Sequence, residues 1–461
     1  MSPKEASAIT SSVLHRSLRK AYPEAVRGEG VYLWDAAGKR YLDFCGSAAV
    51  NFIGHGNPAV LGAITEQAKE LEFVHSSQFT TAVSEEYARE LIDFAGPAFT
   101  GGRVFFTSGG SEAVETALKL ARQYQVEVGQ PKRFKTICRH QAYHGATLGA
   151  LAASGNRRRR EIYLPMVRVP EAFHHIGLPY CYRCAYKCVD CAAKYAKELE
   201  LALVESRGTV AAFIAEPMSG ATLGAAVPKD GYLQRCAELC RENGVLFIAD
   251  EIMTGCGRTG KNLCWEHWGP VAAPDILVLA KGLTSGYLPL GAVIANRKVV
   301  ETLEQGSGQF THGFTYNGHP LACAAGRAVL RQIKKKRLAA VADSNANHES
   351  AGTALRKSLE KLRELESVGD VRGLGLLWGV EFVADKATRA PFAPEKISSA
   401  QVAAACAERG VMVYPMQGSV DGNAGDHLLL APPAIITAAE IEESVMLMGD
   451  AVRAVEKKVS S

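Results

Sequence analysis

The sequence contains the stretch ILVLAKG at positions 276–282, in which an apolar run ends in a lysine followed by a glycine. The run predicts a buried β-strand with Lys281 at its carboxyl end. Burial lowers the pKa of an ammonium group and favours the neutral amine, the nucleophile that a Schiff base requires. The alternative is a lysine whose stem lies at the sheet edge while its charged head reaches water. Both interpretations stay open on this stretch alone.

Apolar runs of the same kind recur along the middle of the chain, separated by segments with helical periodicity. One such segment, Ala113–Tyr124, carries apolar residues on a single helical face. Strands that alternate with helices favour an α/β fold with a mostly parallel sheet covered on both faces. The predicted strands are Val104–Thr107, Thr136–Cys138, Val210–Ala215, Val245–Ala249, Ile276–Ala280 and Ala292–Ala295.

The character of the sequence changes after about residue 325. Long helices are predicted over Ala322–Lys336 and Ala351–Leu365, then a glycine-punctuated strand pair over Gly369–Val383. A last αβα portion ends near Lys458. We interpret residues 326–461 as a smaller α/β domain.

The region before this smaller domain divides into two parts. Residues 56–325 are interpreted as the large domain that holds the parallel sheet. Residues 1–55 are expected to form an N-terminal segment of the small domain, with a helix followed by a turn-rich β-segment over Val31–Phe44.

Composition excludes several classes of protein. With 461 residues, 47% of them hydrophobic, the chain can bury a large core. Its 52 basic and 48 acidic residues nearly balance, which gives little support for nucleic acid as a ligand. The basic runs Arg157–Arg160 and Lys334–Arg337 are interpreted as solvated charge.

Three further features bear on the compartment. No apolar stretch is long enough for a transmembrane helix, so no membrane partner is expected. The N-terminus has no apolar core of a secretory signal. Twelve cysteines in this length are too sparse for a disulfide scaffold, which favours a cytoplasmic location.

Three more motifs follow predicted strands, at the sheet edge where open α/β folds bind ligands. TSGGSE (107–112) could hold an anion on a helix N-terminus, or could be a tight turn with a serine cap. FIADEI (247–252) delivers Asp250 to a strand end, where it could pair with a cationic ring nitrogen or cap a turn. AYHG (142–145) offers Tyr143 for stacking on a flat cofactor, or a tyrosine in a core or loop.

The combination is more specific than its parts. An anion cradle, a stacking aromatic residue, a strand-end aspartate and a strand-end lysine, in that order, suit pyridoxal phosphate. The cradle would hold the phosphate, Asp250 would keep the pyridine nitrogen protonated, and Lys281 would bind the aldehyde carbon.

The sequence resembles the class III aminotransferases of the fold-type I pyridoxal-phosphate enzymes, from about residue 30 to about residue 455. That resemblance implies a large domain with a mostly parallel sheet and a smaller α/β C-terminal domain. It is carried by FTSGGSEAVETALKLAR (106–122), AYHG, AEP (215–217), ADEIMTGCGRTG (249–260), LAKGLTSGYLPLGAV (279–293) and THGFTYNGHP (311–320).

The resemblance implies a role for each matching residue. Lys281 and Asp250 are expected to be catalytic, as the Schiff-base lysine and the partner of the pyridine nitrogen. The remaining cofactor-binding residues implied are Ser108, Gly109, Gly110, Ser111, Tyr143, His144, Glu216, Ile252, Phe314 and Thr315. Tyr143 and Ile252 would cover the two ring faces.

The implied roles of Phe314 and Thr315 predict how the chain assembles. By resemblance, these residues reach the phosphate held by a neighbouring subunit. The expected partner is therefore a second copy of the chain, in a homodimer with shared active sites.

The implied reaction is an ω-amino acid or amine:pyruvate transamination, with small-molecule amine and keto-acid substrates. Many relatives carry an arginine just before the Gly-Asp-His segment, where it grips a substrate carboxylate. Here the residues are DGNAGDH (421–427), and no arginine lies between Arg409 and Arg453. This favours a donor whose reacting carbon bears no carboxylate. Alternatives are a racemase, epimerase or aminomutase on the same scaffold, or a non-catalytic protein that binds pyridoxal phosphate.

The cysteines Cys181, Cys184, Cys188 and Cys191 form two C-x-x-C pairs, a pattern typical of zinc sites. The gap between the pairs is shorter than in a usual zinc ribbon. We therefore expect free thiols or a local disulfide and no metal, with a metal site as the alternative.

Overall fold

The computed structural model describes residues 11–167, 171–187, 189–393 and 398–460. The strands are β1 (Ala25–Glu29), β2 (Tyr32–Asp35), β3 (Arg40–Asp43), β4 (Arg103–Thr107), β5 (Lys135–Arg139), β6 (Phe173–Ile176), β7 (Val210–Ala215), β8 (Leu246–Asp250), β9 (Ile276–Leu279), β10 (Gly291–Ala295), β11 (Val368–Leu374), β12 (Leu377–Phe382), β13 (Val411–Met412), β14 (Tyr414–Gln417) and β15 (Asp426–Leu430).

Helices connect and cover these strands. They are α1 (Gly46–Ala49), α2 (Pro58–Glu70), α3 (Ala82–Ala95), α4 (Gly110–Glu127), α5 (Leu148–Ala153), α6 (Arg157–Arg160), α7 (Leu164–Val167), α8 (Cys191–Glu205), α9 (Tyr232–Glu242), α10 (Arg297–Gln305), α11 (Pro320–Lys335), α12 (Leu338–Ala342), α13 (Ala351–Glu360), α14 (Ser399–Glu408) and α15 (Ala438–Ser460). No helix in the described part of the chain has the length and apolar character needed to cross a membrane.

A seven-stranded sheet in the order β4-β10-β9-β8-β7-β5-β6 forms the centre of the fold. β10 runs antiparallel to both of its neighbours, and the pairs among β5 to β9 are parallel. All residues of β7, β8, β9 and β10 are buried, because helices cover both faces of the sheet. The predicted α/β fold with a mostly parallel sheet is confirmed.

The predicted strands match the observed ones to within one residue at each end. β6 was not predicted, since its sequence FHHI (173–176) interrupts the apolar pattern with histidines. The helix expected over Ala322–Lys336 is α11, and that expected over Ala351–Leu365 is α13 followed by a 3₁₀ turn over Lys361–Glu364.

The ends of the chain meet in a second sheet. β1, β2 and β3 form an antiparallel meander, and β3 pairs in parallel with β13. A third sheet, β11-β12-β15-β14, is antiparallel throughout. We propose that the chain divides into residues 1–55, 56–325 and 326–461. The pairing of β3 with β13 supports the assignment of the N-terminal segment to the small domain. The predicted helix ahead of Val31–Phe44 is wrong for residues 11–24, which contain none; residues 1–10 lie outside the described part of the chain.

Candidate active site

A cavity of about 460 Å³ lies at the carboxyl ends of the central strands. The turns after β4, β5, β7, β8 and β9 all contribute to its wall. The sequence-predicted residues that line it are Ser108, Gly109, Gly110, Ser111, Tyr143, His144, Glu216, Asp250, Ile252 and Lys281. The structure therefore brings most of the predicted site residues into one place.

Lys281 lies just beyond β9 and lines this cavity. Its backbone adopts a left-handed conformation with φ of 45°, which is uncommon outside glycine and clusters at functional sites. Burial lowers the pKa of its ammonium group, and the charge of Arg159 adds to this effect. Asp250 and Glu216 act in the opposite direction. The amine accepts or donates no hydrogen bond among the described residues, so it is available to a ligand.

Asp250 ends β8 and is almost completely buried. Its Oδ2 lies 2.7 Å from Nδ1 of His144, and its Oδ1 accepts a hydrogen bond from the Ile252 amide at 3.1 Å. Each carboxylate oxygen has a further lone pair. Asp250 can therefore accept one more hydrogen bond from a group in the cavity.

Glu216 follows β7 and is also buried. Its Oε1 accepts from the Gly220 amide at 2.9 Å. Burial raises the pKa of the carboxyl, and the nearby Asp250 raises it further. The cavity thus holds two acidic side chains and one amine.

The start of α4 forms an anion cradle. The first hydrogen bond of the helix runs from the Ala113 amide to the Gly109 carbonyl at 3.0 Å. The preceding amides of Gly110, Ser111 and Glu112 have no intrahelical acceptor. A Cβ on Gly110 would come 2.9 Å from Cδ1 of Ile252, so a larger residue there would displace the end of the Ile252 side chain. Free amides at a helix N-terminus suit a phosphate.

Tyr143 lines the cavity beside a residue that the sequence analysis missed. The guanidinium carbon of Arg159 lies 4.3 Å from the centre of the Tyr143 ring. Arg159 and Arg160 are half-buried, so the interpretation of this run as solvated charge is wrong for them, although Arg157 and Arg158 are exposed. No local sequence signal places this helix at the cavity.

Phe314 and Thr315 do not join the other predicted residues. They line a separate opening together with His75, Ser77 and Thr80, and Thr315 is exposed. Further residues on the wall of the main cavity that the sequence analysis did not single out include Arg16, Met253 and Tyr414.

The cysteine cluster remains a prediction, because Cys188 lies outside the described residues. Cys191 is buried at the start of α8, whereas Cys181 and Cys184 are half-buried. Among the described residues, no group of three or more His, Cys, Asp or Glu side chains is placed to hold a metal ion.

Comparison with known proteins decides the family. Residues 15–452 match the family described as aminotransferase class-III. The chain belongs to the class-III aminotransferases. This aminotransferase is 37% identical to the uncharacterized aminotransferase YodT of Bacillus subtilis, over 98% of the present chain and 99% of that protein.

Two solved structures extend the similarity. One is a thermostable (S)-enantioselective omega-transaminase from Thermomicrobium roseum, with a TM-score of 0.84, 36% identity and coverage of 96% and 94% of the two chains. The other is a PLP-bound amine transaminase from an uncultivated Pseudomonas species, with a TM-score of 0.85, 34% identity and coverage of 100% and 99%.

Class-III aminotransferases depend on pyridoxal phosphate, and the cavity of this aminotransferase fits that group. The unsatisfied amides at the start of α4 match its phosphate. The buried Asp250 carboxylate can accept a hydrogen bond from the pyridine nitrogen, and the Lys281 amine has no competing partner among the described residues. The start of α4, Asp250 and Lys281 all line the same cavity.

Proposed function

We propose that this aminotransferase moves an amino group from an amine or an ω-amino acid to a keto acid, with pyruvate as the acceptor. The supporting observation is the loop over residues 418–425, which leads into β15. It contains no arginine that could grip the carboxylate of an α-amino acid. The similar structures described as an omega-transaminase and an amine transaminase support the same donor class.

Residues of the cavity are assigned as follows. Gly110 and Ser111 would donate backbone N–H groups to the phosphate. Ser108 and Gly109 lie in the same turn, where the N–H of Ser108 donates to Oε2 of Glu112 at 2.8 Å. Tyr143 and Ile252 pack against the two faces of the ring. When bound, pyridoxal phosphate withdraws electrons from the carbon that carries the amino group.

Lys281 and Asp250 carry the chemistry of the chain itself. Lys281 Nζ would remove the proton from the carbon that bears the amino group and deliver it to the cofactor carbon that carried the aldehyde oxygen. Its depressed pKa favours the neutral base. Asp250 holds a proton on the pyridine nitrogen through its carboxylate, and His144 fixes that carboxylate at 2.7 Å. Glu216 is assigned to the cofactor side of the pocket.

We also propose a homodimer with shared active sites. Phe314 and Thr315 line an opening separate from the main cavity of their own chain, and Thr315 is exposed. This placement supports a role for both residues at the phosphate of a partner subunit. Localisation in the cytoplasm stays a prediction.

A donor screen tests the proposed reaction. Simple primary amines, ω-amino acids and α-amino acids are each incubated with the purified protein and pyruvate, and alanine formation is measured. We expect simple amines and ω-amino acids to give the faster rates. The donors are also compared without pyruvate, by following the first half-reaction as a single turnover. A faster half-reaction with alanine or glutamate than with every amine tested would contradict the proposal. Loss of the donor's α-proton without alanine formation would favour a racemase or epimerase.

A further inference from the structure

We propose that Arg159 binds the carboxylate of the keto acid, and that of an ω-amino acid donor, in place of the arginine missing from residues 418–425. The proposal rests on the proposed function, since it assigns the residue that holds the proposed keto acid. A simple donor amine has no carboxylate and needs no such contact. Pyruvate nevertheless carries a carboxylate that must be held beside Lys281.

The guanidinium of Arg159 is positioned to bind an anion. It lines the cavity and is half-buried, yet it forms no ion pair with any acidic side chain in the described part of the chain. By contrast Arg372, which is also half-buried, pairs with Asp370 and Glu381. A half-buried guanidinium without a carboxylate partner favours an anionic ligand.

A contact with Tyr143 holds the guanidinium of Arg159 beside the cavity. Its carbon lies 4.3 Å from the centre of the Tyr143 ring, the distance of a cation–π contact. A guanidinium in contact with an aromatic ring can still offer its fork of N–H groups to a planar, bidentate partner. A carboxylate is such a partner. Tyr143 itself lines the cavity, so the guanidinium in contact with it lies at the cavity surface.

Hydrogen bonds tie Arg159 to the loop where an arginine was expected. The side-chain oxygen of Asn156 accepts from the Arg159 amide at 3.2 Å, and its Nδ2 donates to Gln141 Oε1 at 3.0 Å. Gln141 in turn donates to the carbonyl of Gly418 at 2.8 Å. The short helix α6 is therefore attached to the loop that begins at Gly418.

The same loop has no room for a side chain where it contacts α6. Gly422 has φ of +95°, and a Cβ there would come 2.9 Å from Cβ of Arg157. A longer residue at this position would be strained and would displace the helix. The close contact between Gly422 and α6 thus disfavours a side chain at position 422 and keeps α6, which carries Arg159, packed against the loop.

Charge within the cavity supports the same assignment. Asp250 and Glu216 would repel an incoming carboxylate, whereas Arg159 would attract it. Arg159 also lies close enough to Lys281 for its charge to act on the amine. Arg16 is another cation on the wall, but it is exposed and lies outside the network that holds α6.

The test compares substrates with and without a carboxylate in Arg159→Gln and Arg159→Lys. The pairs are pyruvate against propanal as acceptors and β-alanine against propylamine as donors, each measured in a separate half-reaction. Loss of a charged bidentate contact should lower the efficiency with pyruvate by roughly 10- to 100-fold more than that with propanal. The lysine variant should recover part of this loss, because it keeps the charge.

A binding measurement complements the rates. Propionate, which cannot react, should bind the wild-type holoenzyme in calorimetry, and its affinity should fall by the same factor in Arg159→Gln. Arg158→Gln is the matched control, because this neighbour on α6 carries the same charge, is exposed and does not line the cavity. It should leave the pyruvate-to-propanal ratio within about twofold of wild type.

Other results of the substrate comparison would contradict the role of Arg159 or move the carboxylate site. Equal loss with pyruvate and propanal would make Arg159 structural and overturn the inference, as would an unchanged ratio. A selective loss in Arg16→Gln instead would move the carboxylate site to Arg16. If α-amino acids prove to be the preferred donors, the proposed function fails, while the acceptor comparison still decides the role of Arg159. Arg159→Lys keeps the test possible if the glutamine variant does not fold.

Discussion

Nδ1 of His144 lies 2.7 Å from Oδ2 of Asp250, and both side chains are buried at the floor of the cavity. An ionised carboxylate only accepts hydrogen bonds, so Nδ1 is the nitrogen that carries the hydrogen. Nε2 of the same ring is buried without a hydrogen-bond partner among the described residues. The ring therefore orients Asp250 and is held in turn by packing.

Asp250→Asn should lower turnover by roughly two orders of magnitude or more, because the amide cannot stabilise a cationic ring nitrogen. His144→Phe should lower it by about tenfold, since it leaves the carboxylate in place and removes only its orientation. The measurements are kcat for both variants and their urea-unfolding midpoints, which show whether folding is intact. A larger loss in His144→Phe than in Asp250→Asn would reverse the assigned roles.

Lys281→Ala should abolish transamination and leave the fold intact, since the side chain forms no hydrogen bond among the described residues. In the wild-type protein, borohydride should fix the cofactor covalently onto Lys281. Mass spectrometry of the digested, reduced protein checks the attachment site. Recovery of the reduced cofactor on another lysine would show that the assignment is wrong.

Thr315→Asp should abolish activity if this exposed residue lies at the phosphate of a partner subunit, because the new charge would repel that phosphate. Mixed dimers of Thr315→Asp and Lys281→Ala chains, purified with two different tags, would then contain one intact and one doubly damaged site. We expect them to recover about half of the wild-type activity. Thr311→Asp, an exposed residue of the same segment, is the control. Inactive mixed dimers would indicate that each chain builds its own site.

Much of the fold and part of the site could be predicted from local sequence patterns. β7, with the sequence VAAFIA, is buried along its whole length, and such runs are recognisable as strands. Because parallel strands present their carboxyl ends at the same edge, Asp250 and Lys281 had to converge once their strands were assigned.

Other features depend on contacts between distant parts of the chain. β13 has only two residues, and its pairing with β3 leaves no periodic signal in the sequence. Arg159 belongs to a basic run that resembles solvated charge. Its position at the cavity follows from the hydrogen bonds that link Asn156, Gln141 and Gly418.

Glu251, next to Asp250, gives a prediction on stability. Its carboxylate is buried and accepts hydrogen bonds from the amides of Cys264 and Trp265 and from the Thr254 hydroxyl. Burial raises its pKa to about 7 from the ordinary value of 4.5 for a glutamate. Below pH 4.5 the group is protonated in both the folded and the unfolded protein, so it contributes no pH dependence there.

Between pH 4.5 and about 7 the unfolded protein loses this proton while the folded protein keeps it, so the free energy of unfolding falls as pH rises. At 1.36 kcal/mol per pKa unit, the loss is about 3 kcal/mol by neutral pH.

Glu251→Gln cannot lose a proton, although its amide group would oppose a backbone N–H at every pH. The difference in unfolding free energy between variant and wild type should therefore shift by about 2–3 kcal/mol in favour of the variant from pH 5 to pH 8. Urea unfolding at these two pH values measures it, with the exposed Glu70→Gln as a control that should follow wild type. Parallel curves for Glu251→Gln and wild type would show that Glu251 is ionised in the folded protein throughout this range.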